Sequence, residues 1–216
     1  VSTKDLNEEA EILIKNYDAT AAFKNYRGFP DSICTSINDE LIHGIPSNRL
    51  LEDGDILSLD FGVECDGFYG DASITFPIGE VSATAKSIIE ATKNCLCVGI
   101  EKAVVGGYLS DISHAIQKCG EESGYYPVRK FVGHGIGKCL HEAPQIPNYG
   151  AAGKRIKLKA GMTFAIEPML TETETETIFN KDRWTVRTRN GCLSTHFEHT
   201  IVITNNGPEI LSEKNT

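Results

Sequence analysis

The amino-acid sequence predicts an α+β fold, on three observations. Strand-like apolar runs cluster along the chain with helical stretches between them. Two of those runs are joined by Asp66-Gly67, a strong short-range hairpin signal. The alternation of strand and helix is too irregular for a doubly wound sheet.

Taken in order, Ser2 or Thr3 can cap a first helix that carries Leu6, Ala10, Leu13 and Tyr17 on one face. A turn-rich stretch from Asn25 through Gly28 and Pro30 leads to Ser36-Ile37-Asn38. Residues from about Asp55 to Phe76 read as the hairpin, with Leu57, Leu59, Phe61 and Val63 alternating before the turn. Ser82 to Glu101 and Ser110 to Glu122 read as amphipathic helices separated by Gly106-Gly107. Further strands are expected at Phe131–His134, Met162–Glu167, Trp184–Arg189 and Thr195–Thr204, and a late turn at Asn205-Asn206-Gly207-Pro208. The alternating Thr-Glu run from Thr171 to Thr177 reads as a solvated loop or edge segment.

No linker or clear repeat divides the chain, and 216 residues that are 40% hydrophobic suffice for one domain, 1–216, with a buried core. A net charge of −9 argues against a general nucleic-acid binder, which would show a basic patch or stripe. No run of about 18 apolar residues is present to span a membrane, and no basic segment followed by an apolar core marks a secretory signal. The seven cysteines are scattered and odd in number, which fits reduced thiols in a cytosol-like compartment. Cys95 and Cys97 stand two apart in a helical stretch, where their side chains diverge.

Four carboxylates, Asp60, Asp71, Glu167 and Glu198, stand inside strand-like apolar runs. Acidic residues are depleted in strands, and an unpaired buried carboxylate is very costly. Their flanks, Leu59-Asp60-Phe61, Ile166-Glu167-Pro168 and Phe197-Glu198-His199, offer no Lys or Arg. Two divalent cations would balance four carboxylates, and carboxylate with imidazole suits first-row metals. A two-residue Asp66-Gly67 loop would set Cys65 opposite Phe68, Gly62 opposite Asp71 and Asp60 opposite Ser73. Asp60 and Asp71 would then be diagonal neighbours on one face, about 7–8 Å apart at Cα. His134 lies in Gly133-His134-Gly135-Ile136-Gly137, where glycines permit close backbone approach. His43 and His141 are further candidates that, taken alone, read equally well as structural. His114 reads as surface or core. His196 and His199 flank Glu198, and either could support the site from behind the ligands.

In order and spacing, Ser36-Ile37-Asn38, His43-Gly44-Ile45-Pro46, Asp55 to Asp60, Asp66 to Asp71, Gly133 to Gly137, Ile166-Glu167-Pro168-Met169 and Glu198-His199-Thr200 resemble the signature blocks of type I methionine aminopeptidases. The resemblance spans nearly the whole chain, with no room between His134 and Glu198 for the long insertion of the type II enzymes. It implies a pita-bread fold, two pseudosymmetric halves around a central antiparallel sheet. It implies two divalent metal ions (manganese, iron, cobalt or zinc), with Asp60 and Asp71 on one, Asp71, His134 and Glu167 on the other, and Glu198 bridging both.

The resemblance further implies Glu167 as the proton shuttle, His141 on the substrate carbonyl or amide, and His43 beside it. Tyr26, Phe29, Cys34 and Trp184 match or nearly match the family's methionine pocket, while Phe23 stands where many members carry a small residue. The implied substrate is the N-terminal methionine of nascent polypeptides with a small second residue, which brings in the ribosome as a partner and leaves nucleic acid and membrane out. A cytoplasmic monomer is expected. The family pattern has a further helix and connection before the stretch matched by Val1-Ser2-Thr3, so the chain reads as lacking the usual N-terminal segment. Two rival readings share the fold: a proline-specific peptidase, which usually adds a large N-terminal domain, and a binding protein that has lost catalysis. The latter would be expected to lose ligands, and all five are present.

Overall fold

The Ser2 hydroxyl accepts a hydrogen bond from the Asp5 amide and the Asp5 carboxylate accepts one from the Ser2 amide, and this capping box starts the first helix. The computed structural model describes residues 1–213. In chain order the elements are α1 (Thr3–Asn16), β1 (Thr20–Ala21), a 3-10 turn (Tyr26–Gly28), β2 (Cys34–Ile37), β3 (Glu40–Ile42), β4 (Ile56–Cys65), β5 (Phe68–Pro77), α2 (Ala83–Glu101) and α3 (Leu109–Glu122). Short strands follow: β6 (Tyr126–Pro127), β7 (Gly133–Gly135), β8 (Glu142–Ile146), β9 (Thr163–Ile166), β10 (Met169–Thr171), β11 (Thr177–Phe179), β12 (Val186–Thr188) and β13 (Ser194–His196). The longer β14 (Glu198–Thr204) turns through Asn205-Asn206 into β15 (Gly207–Ile210). Among the described residues, no helix is long and apolar enough to cross a membrane.

The main sheet runs β1-β4-β5-β14-β9-β7-β8, with β2 also on β4 and β15 on β14. Its ladders are antiparallel. Side chains alternate across it with period two. Phe164, Ile166, Ile201 and Ile203 point toward α2 and α3, where they join Ile88, Cys95, Ile112 and Ile116 in the main core. Each such side chain contributes about 1.5–3 kcal/mol when fully buried. At Gly99 a Cβ would crowd the Ile116 side chain, so glycine lets α2 and α3 approach closely. On the opposite face stand Ala165, Thr200 and Glu198, and that face carries the site.

The hairpin has the expected register, with Cys65 opposite Phe68, Gly62 opposite Asp71 and Asp60 opposite Ser73. The Thr171–Thr177 stretch links β10 to β11 through a loop in which Thr173, Glu174 and Glu176 are exposed. Three expectations need correction. The Leu6-Ala10-Leu13-Tyr17 stripe of α1 is not its buried face: Leu13 is 50% and Tyr17 78% exposed, while Thr3 and Asn7 are buried. Asn7 faces inward because its side-chain oxygen accepts from the Ser32 and Ile33 amides. The expected strand Thr195–Thr204 is two strands in different sheets, broken at Phe197, with β13 on β10 and β14 in the main sheet. The strand near Phe131 begins only at Gly133, because pairing with β8 and β9 starts there.

Candidate metal centre

Strand register brings the site together. Cys34 pairs with Asp60, Asp60 with Ser73, and Ser73 with Glu198, so these side chains share one face across four adjacent strands. Asp71 lies two residues from Ser73 on the same face. Its backbone is clamped by Thr200, whose hydroxyl accepts from the Asp71 amide at 2.8 Å and donates to the Asp71 carbonyl at 2.8 Å. Thr200 pairs with Ala165, and Ala165 with His134. Glu167 follows Ala165 by two residues and therefore faces the same way. A Cβ at Gly133 would overlap the Ala165 carbonyl and one at Gly135 the Ala143 carbonyl, so the flanking glycines let His134 sit this deep.

Asp71, His134 and Glu198 each offer a ligand atom within 4.8 Å of the others. Asp60 and Glu167 line the same cavity, of about 150 Å³, with His43, His141 and His196. His134 Nε2 lies 3.9 Å from Asp71 Oδ2 and 3.6 Å from Glu167 Oε1. Its Nδ1 lies 2.9 Å from the Gly135 carbonyl, which only an N–H can serve, so Nε2 presents a lone pair to the cavity.

Burial, and then the repulsion of neighbouring carboxylates, pushes Asp60, Glu167 and Glu198 well above the ordinary carboxylate range. Burial raises Asp71 to about 7. Asp60 Oδ1, Asp71 Oδ1 and Glu198 Oε1 are buried with no hydrogen-bond partner. Three buried carboxylates and the nearly buried Glu167, none paired with a Lys or Arg among the described residues, form with a neutral imidazole a donor set that fits divalent metal.

His141 stacks on Tyr26 at 5.3 Å between ring centroids, with its Nδ1 3.0 Å from the Tyr26 hydroxyl. Burial, then the charges of His134, Arg27 and His43, lowers it to about 4. His43 has left-handed backbone (φ 58°) and meets Phe131 and Trp184 edge-on. Burial lowers it to about 4, so both imidazoles are neutral at pH 7. Gly44 permits this turn, since any Cβ there would overlap the Thr35 carbonyl.

Tyr26, Phe29, Cys34 and Trp184 line one wall of the cavity, with Trp184 edge-on to Phe29 at 5.2 Å. Phe23 lines it too, lying against Gly62, where a Cβ would come within 2.6 Å of the ring. His114 is an exposed helix residue. Leu140, Ile42 and Arg27 also line the cavity and had no signal in the sequence beyond adjacency to His141, His43 and Tyr26.

The chain matches the model of metallopeptidase family M24 over residues 1–205. It is 52% identical to a methionine aminopeptidase of Clostridium acetobutylicum over 98% of this chain and 85% of that protein. It is 47% identical to methionine aminopeptidase 1 of Bacillus subtilis, over 98% and 86%. Among solved structures, the methionine aminopeptidase of Rickettsia prowazekii superposes with a TM-score of 0.97 at 44% identity, covering 99% of this chain and 86% of that one. An Xaa-Pro dipeptidase from Bacillus anthracis shares the fold alone, with a TM-score of 0.76 at 22% identity over 54% of its length. The fold is thus the pita-bread fold, and the chain belongs to the methionine aminopeptidases of metallopeptidase family M24.

Proposed function

We propose that this chain removes the N-terminal methionine from polypeptides whose second residue is small, with two divalent ions held by Asp60, Asp71, His134, Glu167 and Glu198. The observation that carries this reading is the ladder pairing of Cys34 with Asp60, which sets an apolar, aromatic-lined pocket directly against the carboxylate cluster. Two ions follow from four carboxylates to be neutralised, and the oxygen-rich set suits manganese or iron, with cobalt or zinc also able to bind. Those five side chains would hold the ions, which when bound would supply Lewis-acid activation of water and of the scissile carbonyl.

The protein supplies the rest. Glu167 accepts the proton of the attacking water and returns it to the leaving amine. The Tyr26 hydroxyl donates to His141 Nδ1, so His141 Nε2–H is free to donate to the oxygen that becomes negative in the tetrahedral intermediate. His43 meets the second residue at the rim and favours a small one. Methionine's thioether suits the edges of Tyr26, Phe29 and Trp184, whereas a lysine or aspartate side chain would be desolvated there without a partner. The substrate class is nascent protein at the ribosome, met by a single-domain monomer. The free cysteines fit a reducing, cytoplasmic setting.

Protein purified without added metal should contain metal by elemental analysis and release methionine from Met-Gly-Met and Met-Ala peptides, but not from N-acetylated ones. Asp71→Asn and Glu198→Gln should lose metal and activity together. Near-normal occupancy and turnover in both variants would sink the ligand assignment. Release of residues preceding proline, with Met-Ala peptides left intact, would favour the proline-specific rival.

A further inference from the structure

Two histidines flank Glu198 in sequence, and the structure gives them different surroundings. His199 is half-buried, and its Nδ1 lies 2.8 Å from the Ser212 hydroxyl. His196 is 2% exposed and ends β13 with its backbone fully tied: its amide donates to the Thr75 hydroxyl at 3.0 Å, and its carbonyl accepts from that hydroxyl at 2.9 Å. Thr75 is itself paired with Ser58 at 2.8 Å across the hairpin. The imidazole alone is left unsatisfied, with no hydrogen-bond partner at either ring nitrogen.

That ring points into the cavity between two carboxylates, with Nε2 3.8 Å from Glu167 Oε2 and 3.9 Å from Glu198 Oε2. Glu167 is therefore divided between two imidazoles, its Oε1 turned to His134 and its Oε2 to His196. A buried polar group so rigidly mounted and so consistently unpartnered is one whose partners take up their final positions when the site is filled.

We infer that His196 is a positioning residue of the metal centre: its Nε2–H is shared between Glu167 Oε2 and Glu198 Oε2 and fixes which carboxylate oxygens face the ions. This rests on the reading of Glu167 and Glu198 as ligands. A histidine in this place does for the carboxylates what the Gly135 carbonyl does for His134, orienting a ligand through its far side.

The test is calorimetric titration of the metal-free protein with manganese(II) chloride, in wild type, His196→Leu, His196→Asn and His196→Gln. Leu and Asn should each weaken manganese binding by about 10–100-fold, and Gln, whose longer amide can still donate, should restore it to within about threefold. Metal-free His196→Leu should melt no lower than wild type, because it replaces an unpartnered polar ring with an apolar side chain. A merely structural role predicts the reverse, a lower metal-free melting temperature with unchanged affinity. Should the Leu variant fail to fold, the Asn variant decides. Wild-type affinity in either folded variant overturns the inference; absence of manganese binding in wild type overturns the ligand reading beneath it.

Discussion

His141 and Phe23 both line the cavity beside the carboxylate cluster. His141 is held by Tyr26 through a stacked ring and a hydrogen bond, and touches none of the carboxylates within hydrogen-bond distance. His141→Ala should therefore lower kcat by about 10²-fold or more while metal content stays at the wild-type level. Elemental analysis of the variant checks the second half, and loss of a metal ion would place the residue among the ligands instead. Phe23 lines the pocket with its ring against Gly62. Phe23→Ala should admit bulkier first residues, so kcat/KM for Phe-Ala peptides should rise relative to Met-Ala. Apolar pockets discriminate by only about 1–3 kcal/mol, so the gain is at most about 10²-fold. An unchanged ratio would show that the ring does not limit pocket depth. Phe23 is legible in the sequence only through family resemblance, since nothing in its local pattern distinguishes a pocket phenylalanine from a core one, whereas His141 is a candidate on its residue type that, taken alone, reads equally well as structural.

At the scale of elements, legibility depended on whether a local rule fixed the answer. The β4–β5 register follows from Asp66-Gly67, because a two-residue loop leaves no freedom in the pairing, and with it the shared face of Asp60 and Asp71. The break at Phe197 was not legible, because an unbroken strand-like run carries no mark of where the chain leaves one sheet for another. The buried face of α1 does not follow the hydrophobicity of Leu13 and Tyr17, because Asn7 is drawn inward by two backbone amides that would otherwise be buried unpaired. The hairpin itself presents apolar side chains to solvent. Phe61, Ile74 and Phe76 stand 37–45% exposed on the hairpin face opposite Asp60 and Ser73. The double variant Phe61→Thr/Phe76→Thr keeps strand-favouring residues and removes much of this patch. It should bind less of an apolar dye and scatter less light at high concentration, with kcat/KM unchanged. Dye binding equal to wild type would mean that the patch is too dispersed to matter.

Across the whole molecule, the carboxylate cluster couples proton binding to stability. In the metal-free fold Asp71 is held up to about 7, and Asp60, Glu167 and Glu198 are pushed up as well, by burial first and by one another second. An unfolded carboxyl titrates near 4, so between that value and about 7 the folded chain binds more protons than the unfolded one. This contribution to stability is fully present below about pH 4 and is lost as pH rises through about 7. Burial lowers His43 and His141 to about 4 and His196 to about 3, and these act in the opposite sense, disfavouring the fold as acid protonates them in the unfolded chain. The metal-free stability profile should therefore be shallow. Metal binding is different, because it needs the carboxylates ionised and must displace their protons below about pH 7. At a manganese concentration 100 times the dissociation constant, binding stabilises by about 2.7 kcal/mol. For a chain of this size that raises the melting temperature by about 5–10 °C. Scanning calorimetry with and without manganese should show a rise of this size at pH 8. At pH 5.5 and the same metal concentration the rise should shrink toward zero. An equal rise at both values would mean that the carboxyls are already ionised in the metal-free fold, and that burial and mutual repulsion do not govern them.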